Sequence, residues 1–184
     1  MEISGDLKLG LQRIRLVVFD VDGVLTDGQL FYSDEGETLK AFHVRDGVAL
    51  KLLPDMGVDV AIVSAKDSSM LACRMAELGV HHYYPGTKDK RKSVEALARN
   101  LSLAPEEVAF VGDDMVDLHA MAWCGVGLAP LDAYEYVRDR ADVVVPVNGG
   151  HGVARYVADL ILQAQGKFEQ AYKTASLPHF ERDR

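Results

Sequence analysis

Asp20 and Asp22 stand two residues apart after an apolar run, Leu16-Val17-Val18-Phe19, and Gly23 follows them. The run is rich in β-branched types and reads as a strand buried on both faces. Gly23 permits the sharp turn that such an ending needs. The carboxyl ends of strands in an open parallel sheet are where ligands bind. Bare anions there are costly to bury, and a divalent cation is the simplest compensation. Three further polar sites follow buried runs or open helices: Ser64, Lys90 and the pair Asp113 and Asp114. Brought to one rim, they supply what phosphoryl transfer requires. Asp20 would attack phosphorus to form an aspartyl-phosphate. Asp22 would protonate the leaving alkoxide and later deprotonate water. Asp20, the main-chain oxygen of Asp22 and Asp113 form an oxygen set suited to Mg²⁺. Ser64 and neighbouring N–H groups, that of Ala65 among them, would hold phosphate oxygens at the start of a helix, with Lys90 neutralising one.

Taken singly, each motif has an ordinary explanation. The Asp20–Gly23 stretch could be a turn with capping carboxylates, and Gly112-Asp113-Asp114 a helix N-cap. Ser64 alone could be a cap, and Lys90 beside Lys88, Arg91 and Lys92 a solvated face. A calcium loop is excluded, because Val24 and Phe31 occupy ligand positions of that motif. The joint pattern, in this order, is what favours phosphoryl chemistry.

The elements that must position these groups alternate. Apolar runs at 58–64, 80–84, 108–111, 125–129 and 142–145 predict strands after the first. Helices are predicted over 46–56, 68–78, 89–101, 115–123, 133–138 and 152–165, with Pro54 ending or kinking the first and Gly79 closing the second. Residues 29–32 and 38–43 flank a turn-like Ser33–Glu37 and predict a β-hairpin beside the site. Residues 1–13 form a polar lead with a helical-looking Leu7-Leu9-Leu11 patch and no assigned role, and the stretch after Gly166 is weakly patterned. The alternation predicts an α/β fold: a three-layer sandwich on a parallel, Rossmann-like sheet, in one domain spanning 1–184.

Composition narrows the function classes. A net charge of −8 argues against a nucleic-acid partner. No apolar run approaches a membrane span, and two distant cysteines imply no disulfide framework, so a cytoplasmic location is expected. His81 and His82 are adjacent on a strand and diverge, His119 fits a helix surface, and Trp123 and the methionines fit the core.

The segments Asp20–Asp27, Ser64, Lys90 and Gly112-Asp113-Asp114 with Asp117 resemble the four motifs of the haloacid dehalogenase superfamily. Within it the chain resembles the 3-deoxy-D-manno-octulosonate 8-phosphate (Kdo 8-phosphate) phosphatase family from about Leu11 to Ala171, through Val44–Gly47, Gly86–Lys90, Gly149–Gly152 and Leu162–Lys167. The resemblance implies a core without a large cap domain, Mg²⁺ as cofactor, and a phosphorylated ketosugar acid of lipopolysaccharide Kdo biosynthesis as substrate. It implies a homotetramer in which hairpin and C-terminal tail (from Gly166) help close a neighbour's site, with Phe31, Tyr32 and Phe42 as contacts or as packing within the hairpin. Carried over residue by residue, it implies substrate contacts from Asp22, His43, Val44, Arg45, Asp46, Gly47, Lys51, Lys66, Arg74 and Asp114. The chain departs from the pattern in four places. Ser64-Ala65-Lys66 replaces a usual Thr-Gly-Arg, Lys51 and His151 replace arginines, and His43 replaces Asn, while Arg74 and Arg155 match. Arg grips a carboxylate bidentately and Lys as a point charge, so a nine-carbon sugar-acid 9-phosphate stands as the alternative substrate. Other classes to be separated by experiment are a mutase, a phospho-receiver module and a scaffold without turnover.

Overall fold

The structure, a computed structural model, describes residues 4–177 and residue 180. Strand β1 (Leu16–Phe19) is buried along its whole length and lies inside a six-stranded parallel sheet. With β4 (Asp59–Val63), β5 (His82–Tyr84), β6 (Val108–Val111), β7 (Val126–Ala129) and β8 (Val143–Val144), the order is β5-β4-β1-β6-β7-β8. Phe19 is in register with Ile62 on one side and Val111 on the other, so β1 and β6 end level and β4 runs one residue further. Chain direction across the sheet reverses around β1, which opens a crevice at that edge.

Successive β1 side chains enter separate cores. Val17 and Phe19 pack with residues of α1 (Gly5–Arg13), α2 (Val44–Asp55), α3 (Ser69–Leu78) and α7 (Val153–Ala164). Leu16 and Val18 pack with α4 (Lys90–Asn100), α5 (Leu118–Met121) and α6 (Glu135–Arg138). The three-layer α/β sandwich expected from the alternation is therefore observed. Helix α7 buries eight of its residues, from Val153 to Ala164, between α1 and α2.

Several elements differ from the sequence reading. The N-terminal lead is helix α1, capped by the Ser4 hydroxyl, and its Leu11 is wholly buried against α7. Helix α2 runs one residue past Pro54, which the final turn tolerates. The segment expected as one helix over 115–123 splits into a 3-10 turn, Met115–Asp117, and the short α5. The tail forms α8 (Phe168–Ala175), packed on α2 and α7 of the same chain, and Phe180 is buried. The rest of the expected tail contact, at 178–179 and 181–184, lies outside the described residues. The hairpin pairs β2 (Phe31–Ser33) with β3 (Gly36–Leu39) and stands apart from the main sheet.

Candidate active site

Asp20 follows β1 directly, and its N–H donates to the Val111 carbonyl at 2.9 Å, which extends the ladder by one residue and fixes the carboxylate at the sheet edge. Asp113 stands two residues beyond β6 on the adjacent strand. Gly23 joins the two loops: its φ is +89°, and a Cβ there would lie 2.0 Å from Asp113 Oδ2. Only a residue without a side chain lets the Asp22–Gly23 turn close on that carboxylate. The turn is braced from behind by the 149–152 loop, where Gly150 N–H donates to the Val24 carbonyl at 3.0 Å and a Cβ on Gly149 would meet Gly23 O at 2.1 Å.

Lys90, at the first position of α4, is 5% exposed and bridges two carboxylates: Asp20 at 2.7 Å and Asp117 at 2.6 Å. A buried ammonium is stable only with such partners. Burial pushes Lys90 down, but Asp20 and Asp117 together hold it above its ordinary value. Asp117 is fully buried, and its other oxygen accepts the N–H groups of Asp113 and Asp114 at 3.1 and 3.3 Å. It was quoted in the motif but absent from the expected site residues. The spacing that could have revealed it is i, i+4 from Asp113, which returns a carboxylate to its own loop across one turn.

Asp20, Asp113 and Asp117 each offer an oxygen within 4.8 Å of the others. With all three carboxylates ionised against one ammonium, two negative charges would be uncompensated. Burial, reinforced by Asp20 and Asp117, pushes Asp113 up to about 8. Burial and the Asp117 charge likewise raise Asp20 to about 6 against the pull of Lys90. This crowding of hard oxygen donors fits a small divalent cation. Both oxygens of Asp117 are already engaged, which leaves Asp20 and Asp113 as the side chains free to ligate.

The other expected residues are placed as follows. Ser64 is buried just past β4, and its hydroxyl accepts the Lys66 N–H at 3.1 Å. The expected helix start at Ser64 is not observed, because α3 begins at Ser69 and Ala65 to Ser68 form a loop. Amides there belong to a turn closed by Ser64, not to a helix terminus. Lys66 Nζ is buried with no hydrogen-bond partner among the described residues. Asp22 pairs with Lys40, which also lies 3.0 Å from Glu37. Asp114 caps the 3-10 turn by accepting Met115 N–H at 2.7 Å. His43 caps α2 through Arg45 N–H, while Val44 and Arg45 are exposed. Asp46 is 4% exposed and turned away from solvent: its carboxylate accepts Arg155 N–H at 2.9 Å and so caps α7 from a distance. Gly47 packs under the Arg74 guanidinium. Lys51 and Arg74 line a cavity of about 340 Å³ between α2 and α3 with Phe180, and none of the cluster residues borders it.

Residues 71–157 match the haloacid dehalogenase-like hydrolase family. The chain is 45% identical over 157 residues to the 3-deoxy-D-manno-octulosonate 8-phosphate phosphatase of Haemophilus influenzae, spanning 85% of this chain and 87% of that protein. The chain belongs to the Kdo 8-phosphate phosphatase family of haloacid dehalogenase-like hydrolases. Solved structures of this family superpose closely. The phosphatase from Moraxella catarrhalis, in complex with a magnesium ion, a phosphate ion and a Kdo molecule, gives a TM-score of 0.87 at 36% identity, over 92% of this chain and 97% of that one. The cobalt-bound Haemophilus influenzae phosphatase gives 0.85 at 43% identity, over 89% of this chain and 99% of that one.

Proposed function

We propose that the chain is a Mg²⁺-dependent phosphatase that releases inorganic phosphate from Kdo 8-phosphate through an aspartyl-phosphate on Asp20. The observation that carries this reading is the two-charge deficit of the Asp20–Asp113–Asp117–Lys90 cluster at the sheet edge. It is a site built for a cation and a phosphoryl group together. Family membership and the relatives' names supply the sugar acid.

Asp20 and Asp113 would hold the metal, with the Asp22 main-chain oxygen as a third ligand; Mg²⁺ there supplies charge neutralisation for the phosphoryl oxygens. Lys90 keeps Asp20 aligned and adds a fixed positive charge beside it. Asp117 orients Lys90 and clamps the loop that carries Asp113. An Asp20 oxygen forms a bond to phosphorus while the ester P–O bond breaks, and the leaving oxygen takes its proton from Asp22. Water then bonds to phosphorus and yields its proton to Asp22, and the acyl phosphate P–O bond breaks to restore the Asp20 carboxylate. Ser64 Oγ and the Ala65 N–H donate to phosphoryl oxygens.

For the sugar acid, His43, Lys66 and Asp114 would be the groups at the rim. The partnerless Lys66 ammonium is the strongest candidate for its carboxylate. Lys51, with Val44 and Gly47, faces a separate groove and would serve substrate only across a subunit boundary, while Arg74 borders that groove and also an open pocket lined by Lys40 and Phe42. A homotetramer supplies such boundaries, and the exposed Leu30, Phe31, Tyr32 and Leu39 of the hairpin support one. We assign the enzyme to the cytoplasm; no helix among the described residues is long and apolar enough to cross a membrane, and both cysteines are free.

The test is Mg²⁺-dependent phosphate release from Kdo 8-phosphate, nine-carbon sugar-acid 9-phosphates and neutral sugar phosphates. Highest kcat/KM on Kdo 8-phosphate is expected. Preference for a nine-carbon acid would make Lys51 and Lys66 the determinants of a different substrate, and no turnover on any ester would refute the phosphatase reading.

A further inference from the structure

We propose that Lys40, at the foot of the β2–β3 hairpin, is a positioning residue that fixes the Asp22 carboxyl for proton transfer and so ties the hairpin to the chemical step. The inference rests on the reading of Asp22 as the proton carrier.

The hairpin otherwise looks like a detached, solvent-facing appendage. Leu39 is 52% exposed, yet the next side chain, Lys40, is only 2% exposed. Burying an ammonium is costly unless it is fully partnered. Here it is held by carboxylates from two segments: Glu37 of β3 at 3.0 Å, and Asp22 eighteen residues back in the loop after β1. Asp22 is not one of the three clustered carboxylates, so this contact is separate from the Lys90 bridge.

Lys40 takes the Oδ1 atom of Asp22, which leaves Oδ2 to carry the exchanged proton. A carboxyl held through one oxygen presents the other in a fixed direction. A carboxyl that turns freely spends much of its time misaligned, and misplacement by about 1 Å costs on the order of a hundredfold in rate. Glu37 in turn keeps the long lysine side chain from following Asp22 when its carboxyl is protonated. The same three groups would serve both half-reactions, since the proton leaves and returns through one oxygen.

Mere fastening of the hairpin would lower all activities alike. Proton delivery matters in proportion to how poor the leaving group is, and that separates the two roles. The experiment measures kcat/KM with Mg²⁺ for the full chain on phosphate monoesters running from 4-nitrophenyl phosphate to simple alkyl phosphates. For Lys40→Met we expect a loss of about threefold or less on 4-nitrophenyl phosphate and about thirtyfold or more on alkyl esters, a fraction of the 10²–10⁴ that a general acid supplies. Asp22→Asn should steepen the same plot further. A steep plot for Asp22→Asn with a wild-type slope for Lys40→Met would overturn the role of Lys40 alone. A wild-type slope in Asp22→Asn would overturn the proton-carrier reading beneath it. If Lys40→Met does not fold, Glu37→Gln, which loosens the lysine's anchor, is read on the same plot: a steeper slope supports the proposal and an unchanged slope refutes it.

Discussion

The carboxylate cluster at the sheet edge and the groups around its rim are held in different ways. Asp20, Ser64, Lys90 and Asp117 are each 6% exposed or less, and three strands in register set the positions of the loops that carry them. His43 and Asp114 sit at helix caps and Lys66 in a loop, while Lys51 and Arg74 line a groove between α2 and α3. The buried region is over-determined by backbone pairing and ion pairs. The other groups are placed by individual caps and loop contacts. On the proposed function, chemistry would thus be tied to the fold, and substrate choice to positions that can change without disturbing it.

Breaking the cluster should cost most. Asp20→Asn is expected to lower phosphate release by about 10⁴-fold or more while the fold is retained, measured by turnover and thermal unfolding. It removes a nucleophile and at the same time relieves a crowded charge, so stability should hold or rise. Retained turnover would remove Asp20 from its role.

Lys90→Met should destabilise as well as inactivate. It strands Asp20 and Asp117 without their shared partner, and removing one member of a buried ion pair costs about 3–5 kcal/mol. For a chain of this size that is a fall in Tm of roughly 6–20 °C. A Tm within about 1 °C of wild type would contradict the ion-pair account.

Gly149→Ala probes the brace behind the Asp22–Gly23 turn. The added Cβ would meet Gly23 O at 2.1 Å, so backbone must move. We expect about 1–3 kcal/mol of destabilisation and a reduction in kcat of roughly tenfold. Unchanged kinetics would mean that the brace does not position the turn.

Metal and pH give a subtler effect. Asp113, raised from 3.8 to about 8 in the metal-free protein, keeps a proton that the unfolded chain has already released. Stability that this group contributes is therefore full below about pH 4 and is lost as pH rises through about 8. Mg²⁺ competes with that proton, so the Tm gain on adding Mg²⁺ should be larger at pH 8 than at pH 5.5. A gain that shrinks with rising pH would contradict the assignment of Asp113 to the metal.

Phe31→Ser combined with Tyr32→Ser probes the outermost part of the rim and should have the smallest effect on subunit stability, within about 0.5 kcal/mol per site. Its effect should fall on assembly, read by light scattering. An unchanged oligomeric state would place the interface elsewhere.

The buried region was also the more legible in the sequence. Val17, Val18 and Phe19 announced a strand covered on both faces, and Asp20 and Asp113 lie where such strands end. Lys90 was legible only through its order among the motifs, since its neighbours suggested a solvated face; the structure turns it alone inward to Asp20 and Asp117. The contact of Asp117 with the Asp113 N–H is a local i, i+4 relation, but its pairing with Lys90, like that of Lys40 with Asp22, is set by tertiary packing that residue spacing does not report. Asp46 entered as a site residue only through the resemblance of the Val44–Gly47 segment, and its carboxylate caps α7, 109 residues away in sequence. The helical look of Leu7-Leu9-Leu11 was legible, but the role of α1 was not, because its single buried anchor, Leu11, meets α7 only in the folded state.

In the proposed mechanism, phosphate passes through an intermediate on Asp20. Its most direct test is rapid acid quench of Asp22→Asn turning over 4-nitrophenyl phosphate with Mg²⁺, followed by peptide mass spectrometry. Loss of the base for the second step should let the intermediate accumulate, with one phosphate on the peptide that contains Asp20. Nitrophenol release with no phosphate on that peptide, or phosphate on another residue, would contradict it.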